Sequence, residues 1–141
     1  MIAVIRVRGT NKIKSGIEAT LRMLHLYNKN YAVLLEDTPQ NRGMIQKAKD
    51  YVAYGSVDEA TIQELFEKRG QEYTGRVADA KGKISYARRF IERAGKKYKK
   101  YFRLSPPRQG YGRKGIKRAF QKGGALGNRK ERVNDLLKRM M

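Results

Sequence analysis

The chain has 141 residues, of which 33 are Lys or Arg and 13 are Asp or Glu, for a net charge of +20. With no Cys it has no disulfides and no thiolate metal sites, and no apolar run approaches the length of a membrane span. Hydrophobic residues at 40% can fill a modest core, so the composition reads as one soluble, intracellular domain with an appendage. Arg6 comes too early for a signal-peptide apolar region. The charge is uneven. Residues 1–68 hold 10 basic and 8 acidic side chains, whereas residues 69–141 hold 23 basic and 5 acidic. A half-chain at +18 repels itself unless counter-charge is supplied. An anionic polymer, nucleic acid above all, is the partner such a field selects, rather than a membrane surface.

Ile2 to Val7 is β-branched and loosely alternating, which predicts a strand. Ser15 with Glu18 has the spacing of a capping box, and Ile17, Leu21 and Leu24 place one apolar stripe on the helix that follows. Asn28 to Asn30 is turn chemistry, and Tyr31 to Leu35 reads as a second strand. Thr38-Pro39 is an N-cap followed by Pro at the first helical position, with Met44, Ile45, Ala48 and Val52 at helical spacing behind it. Tyr51 to Tyr54 fits a short third strand. Ser56 with Glu59 offers another capping box, Ile62, Leu65 and Phe66 line a third helix, and Gly70 stops it. Residues 1–69 therefore read as a small layered domain of helices on a sheet.

Beyond Gly70 the texture changes. Val77, Ala80, Ile84, Ala87, Ile91 and Ala94 step by three and four, which predicts an amphipathic helix with Lys and Arg on its other faces. Lys96 to Phe102 is basic and aromatic, and Ser105 to Gly115, rich in Pro, Gly and Arg, should be extended. Asn128 with Glu131 caps a last helix, whose face of Val133, Leu136, Leu137 and Met140 must dock on the N-terminal core. This divides the chain into a core at 1–69, a basic extension at 70–122 and a docking helix at 123–141.

The motifs for catalysis are weak. His25, the only histidine, sits at the predicted end of the first helix, where a cation suits the dipole; no Cys can pair with it and no triad order is visible. Glu36-Asp37 could hold Mg²⁺ or act as an acid–base pair, but turn formation and support of the next helix N-terminus explain it more simply. Gly110, Gly112 and Gly115 spell G-x-G-x-x-G, but Pro106-Pro107 precede them and Gly123-Gly124 break any helix behind. A dinucleotide fingerprint needs a strand before and a helix after, so the motif is a decoy. No cofactor is implied.

The basic tract is the informative feature. Lys96, Lys97, Lys99 and Lys100 interleave with Tyr98, Tyr101 and Phe102; Arg103, Arg108, Arg113, Lys114, Lys117 and Arg118 follow. Lys and Arg neutralise phosphates, and Tyr rings stack on unpaired bases. No helix-turn-helix with base-reading Asn or Gln is visible, and extended Gly, Pro and Arg segments suit folded RNA. A DNA-architectural protein and an RNA-processing enzyme using Glu36-Asp37 are the competing classes.

The run TLRMLHLYNKNYAVLLEDTPQNRGMIQKAKDYVAYG, Thr20 to Gly55, resembles the large-subunit ribosomal protein L-thirty family, whose eukaryotic homologues are called L-seven. RLSPPR at Arg103 to Arg108, GGALGNR at Gly123 to Arg129, and Asn134, Leu136, Leu137 and Met140 resemble its archaeal and eukaryotic form. Bacterial members resemble only the first half. One departure stands out: the family's Arg-Gly-Gly after the prolines is here Arg108-Gln109-Gly110. The resemblance implies an α+β fold: a β-α-β-α-β core with a three-stranded antiparallel, ferredoxin-like sheet, joined to a basic helical and extended C-terminal half. It implies a structural, non-catalytic component of the large subunit. Such a component sits on ribosomal RNA near the 5S RNA, beside other ribosomal proteins and as a monomer within the ribosome. The residues expected to meet RNA are Arg8, Lys12 and Lys14 in the first loop, Arg42, Gly43 and Lys47 in the family motif, and Lys97, Lys100, Arg103, Arg108, Arg113, Lys114, Lys117 and Arg118 in the tract.

Overall fold

The computed structural model describes residues 1–141. Three antiparallel strands form its centre: β1 (Ile2–Arg6), β2 (Tyr31–Leu35) and β3 (Val52–Ser56). β1 lies between the other two, with Val4 opposite both Val33 and Tyr54. Alternation along these strands serves two faces. Val4, Val33 and Val52 point to one side, where α1 (Ser15–Met23) and α2 (Pro39–Lys47) bury Leu21 and Ile45, with Leu24 and Ala48 closing their ends. Ala3, Ile5, Ala32, Leu34 and Ala53 point to the other, where α3 (Glu59–Arg69) and α4 (Val133–Met140) bury Ile62, Leu65, Phe66 and the α4 stripe. Small Ala residues on the strands let two helices approach that face.

The helix ends show which local signals operate. Thr38 caps α2 as expected, its Oγ1 accepting from Asn41 N at 3.3 Å, with Pro39 at the first helical position. The other two capping expectations for the first three helices need correction. The residue before α1 is Lys14, which makes no side-chain cap, and Ser15 lies inside the helix. α3 is capped by Asp58, whose Oδ1 accepts from Thr61 N at 2.8 Å; Ser56 belongs to β3. At the far end Asn128 does not cap α4 either: its Oδ1 accepts from Lys130 N at 2.8 Å, and a short 3₁₀ turn at Lys130–Arg132 separates it from α4, which has no side-chain cap.

The sheet is larger than the three strands expected. β6 (Tyr101–Arg103) joins β2 antiparallel, and the two-residue β7 (Gly127–Asn128) joins β3 in parallel, giving the order β6-β2-β1-β3-β7. Both additions come from the C-terminal half and occupy opposite edges. Gly55 permits the β7 side: a Cβ there would lie 2.1 Å from the carbonyl oxygen of Lys130. In α4, Val133, Leu136, Leu137 and Met140 are all fully buried. Each such side chain contributes about 1.5–3 kcal/mol of apolar burial, so α4 is integral to the core.

The amphipathic helix expected over 77–94 does not form. Val77 and Ile84 are 43% and 57% exposed, so the first part of the apolar stripe has nothing to pack against. The segment instead ends in a hairpin of β4 (Phe90–Arg93) and β5 (Lys96–Lys99). Its two turn residues, Ala94 and Gly95, both have positive φ, 51° and 77°. That is the backbone of a tight hairpin turn whose twist matches the strands. The hairpin packs on α3: Tyr98 meets Phe66 edge-on at 5.1 Å between centroids, and Arg93 lies 5.0 Å over the same ring while pairing with Glu59.

Candidate nucleic-acid interface

The predicted cations fall into separate groups. At one end of the α1/α2 layer stand Arg8, Lys12, Lys14 and Lys47. Lys12 and Lys14 are exposed in the loop before α1, and Lys47 Nζ comes within 3.8 Å of where a side chain on Gly16 would begin. Arg8 lies 5.0 Å over the Tyr51 ring. Arg42 belongs elsewhere. It faces a cleft of about 320 Å³ between α2 and β3, lined also by Ile2, Asp37, Tyr54 and Asn128. Gly43 is exposed, and a Cβ there would meet nothing within 4 Å.

Arg42 is engaged in a fork–fork pair with Asp37, Nε and Nη2 donating to Oδ1 and Oδ2, the latter at 2.6 Å. The hydrogen bond from Arg42 holds the Asp37 carboxyl below the usual carboxylate range, and the same contact raises the guanidinium. Asp37 therefore does more than shape a turn, because it compensates a predicted RNA contact. Sequence spacing carried no signal for this, since the partners are five residues apart across a strand-to-helix turn.

A second group lies at the β5–β6 edge. Lys97 sits 5.1 Å over the Phe90 ring, Lys100 bridges the two strands, and Arg103 lies about 6 Å over both Tyr31 and Tyr101. A third group is the segment from β6 to β7. Arg108, Arg113, Lys114, Lys117 and Arg118 are all exposed there, and none forms an ion pair.

Three anchors hold that third segment, Arg129 buried and Tyr111 and Arg139 partly exposed, and sequence reasoning missed all of them. Arg129, 4% exposed, donates from Nη2 to Tyr111 O at 2.7 Å and from Nε to Ala125 O at 3.2 Å, while stacking 4.8 Å over Phe120. Tyr111 donates its hydroxyl to Asn30 Oδ1. Burial pushes the Tyr111 phenol up to about 12 and pulls the Arg129 guanidinium down. Arg139 Nη1 donates to the carbonyls of Arg108 at 3.1 Å and Gly110 at 2.7 Å. Around the G-x-G-x-x-G spelling there is neither strand nor α-helix, only turns, with Gly110 and Gly115 at positive φ. Gln109, in the position where the resembling family has Gly, takes φ 65°.

Residues 2–52 match the family described as ribosomal protein L30p/L7e. The large ribosomal subunit protein uL30 of Nanoarchaeum equitans is 43% identical, over 99% of this chain and 97% of its own length. The chain belongs to this family. The uL30 proteins of Methanopyrus kandleri and Methanococcus maripaludis are 40% and 38% identical, covering 96% and 99% of this chain. The L30p/L7e match ends at the first residue of β3, so it covers β1, β2 and the α1/α2 layer. The archaeal relatives extend the likeness over the two edge strands and α4.

Proposed function

We propose that this chain, a structural constituent of the large ribosomal subunit, holds ribosomal RNA in place through phosphate contacts from cations at four places on its surface. The observation that carries this reading is the lack of internal compensation. Of 33 basic side chains only Arg22, Arg42, Arg93 and Arg139 pair with a carboxylate. Arg6 and Arg129 are buried on backbone carbonyls, and most of the others present their charge outward, as a binder of the RNA backbone requires. Within this reading residues 1–69 are the platform. Residues 70–122 carry most of the RNA contacts, and residues 123–141 return to brace the core. The contacts are Arg8, Lys12, Lys14 and Lys47 at one end, Arg42 and Gly43 at the α2 cleft, Lys97, Lys100 and Arg103 at the β5–β6 edge, and Arg108, Arg113, Lys114, Lys117 and Arg118 beyond it. Neighbouring ribosomal proteins are further partners.

The family is structural rather than catalytic, and we extend that to this chain. The carboxylate pair that invited an enzymatic reading is compromised by Arg42, since a carboxylate held below its usual range is a poor proton acceptor. The resemblance at Thr38–Met44 and Arg103–Arg108 supports a place near the 5S RNA, with one copy per subunit. The test is sedimentation of tagged protein from lysate. Stoichiometric migration with the large subunit, persisting through a high-salt wash, is the expected result; a free monomer, or migration with DNA, rejects it.

A further inference from the structure

β6 lies at the edge of the sheet, beyond the cover of α1 and α2. On the face that those helices cover elsewhere, it leaves a cluster of rings. Tyr31 and Tyr101 are stacked, 5.2 Å between centroids and 6° between planes, and Tyr27 meets Tyr101 edge-on at 5.7 Å. Tyr27 is 42% exposed. Opposite stand Tyr73 and Arg89, from the segment that precedes the β4–β5 hairpin. Between the two walls is a cleft of about 400 Å³, lined by His25, Tyr27, Tyr73, Arg89, Lys99, Lys100 and Tyr101.

We propose that this cleft receives one unpaired nucleotide of RNA, its base stacked on Tyr27 and Tyr73 and its phosphate met by Arg89, Lys99 and Lys100. The proposal rests on the RNA-binding reading above and adds a kind of recognition that the cation groups lack. Phosphate contacts hold a backbone without regard to pairing, whereas a cleft walled by aromatic rings admits only a base that has left its stack. Three observations select this occupant. No carboxylate lines the cleft, so its three cations are uncompensated. The walls are rings on both sides, the arrangement that single-stranded nucleic-acid binders use for stacking. The cations are also held in place: Arg89 lies 4.4 Å over Tyr86, and Lys99 Nζ lies 6.0 Å over Tyr101.

His25 fits the same purpose. It follows α1 with φ 61°, a left-handed conformation usually given to Gly or Asn at a helix end. Its Nδ1 lies 2.9 Å from the Tyr27 hydroxyl, which fixes the orientation of that ring. Burial, with help from Lys100, lowers the His25 pKa, so the ring is neutral at neutral pH and can accept from the phenol.

The test uses the full chain and a short single-stranded RNA carrying one 2-aminopurine, beside the same RNA annealed to its complement. Stacking quenches 2-aminopurine, so fluorescence reports entry into the cleft. The expected result is quenching with the single strand and none with the duplex. Tyr27→Ala and Tyr73→Ala should each lose about tenfold in single-strand affinity along with the quenching. Tyr27→Phe, which keeps the ring and loses only its tie to His25, should lose less affinity than Tyr27→Ala and keep the quenching. Arg89→Ala should weaken binding and leave the quenching of the bound state intact, and its exposed position keeps the fold out of the question. Quenching that survives both alanine variants, while the chain still binds ribosomal RNA, overturns the cleft and leaves the RNA reading standing. Binding of neither RNA overturns both. An acidic peptide whose binding depends on Tyr27, where that of RNA does not, assigns the cleft to a protein neighbour and overturns the proposal.

Discussion

The buried guanidinium of Arg6 donates from Nη1 to the carbonyl oxygen of Tyr27 at 2.9 Å, so a charge inside the core sets the position of an aromatic ring at the surface. The same nitrogen reaches Leu26 O at 2.7 Å, and Nε reaches Arg8 O at 3.0 Å. Arg6 is 1% exposed, and burial pulls its pKa below the ordinary value. Arg6→Met fills similar volume but leaves three carbonyls without their donor. It should cost about 2–4 kcal/mol, read from chemical denaturation. Arg6→Lys should recover only part of that, because an ammonium lacks the planar fork.

Arg129 plays the matching role for the segment between β6 and β7. Arg129→Met should leave the sheet centre intact and release the turn around Tyr111. Amide exchange should then rise across residues 110–118 while β1, β2 and β3 stay protected. Equal loss of protection in both regions would show that Arg129 supports the whole fold instead.

The Tyr111 phenol gives the chain an alkaline limit. Its folded-state pKa, about 12, lies above the ordinary tyrosine value of 10.0. The fold thus favours the neutral phenol, and that contribution is complete below pH 10.0 and lost as pH rises toward 12. Melting temperature should fall more steeply with pH across this window in the wild type than in Tyr111→Phe. Parallel curves would reject the assignment.

Asp37 should restrain RNA binding. Asp37→Ala frees the Arg42 guanidinium and removes a negative charge, so affinity for ribosomal RNA should rise by a fewfold. Lys117 and Arg118 have no such partner. Replacing both by Ala should reduce the salt slope of log K by about 2 on duplex RNA. Arg42→Ala alone should reduce it by less than 1, since its charge is already shared. Filter binding at several salt concentrations measures all three.

The sequence was legible where a single residue type has one physical use. Thr38-Pro39 could only begin a helix, Gly70 ended one, and the Val133–Met140 stripe had to find a core. It misled where periodicity stood alone. Val77 to Ala94 has helical spacing, but a stripe becomes a helix face only if something covers it, and Val77 and Ile84 stand exposed. The hairpin that ends the segment turns at Ala94-Gly95, which lacks the Asn-Gly signature of its class. β6 and β7, at three and two residues, are too short to show a period and are defined by their partners in the sheet. Of the site, the cations were visible in composition. The Arg42–Asp37 pair, the Arg129 anchor and the cleft around Tyr27 depend on contacts that no local window contains.

The two edge strands have a consequence for how the chain is made. Translation delivers β1, β2 and β3 first, and the nascent sheet then carries an open edge on either side. β2 waits for Tyr101 to Arg103, and β3 waits longer still, for Gly127-Asn128. Open edges recruit other strands, and pairings distant in sequence form slowly. A ribosome stalled between these points holds a half-built sheet whose closing strands have yet to emerge, and that interval is when this chain is most exposed to aggregation.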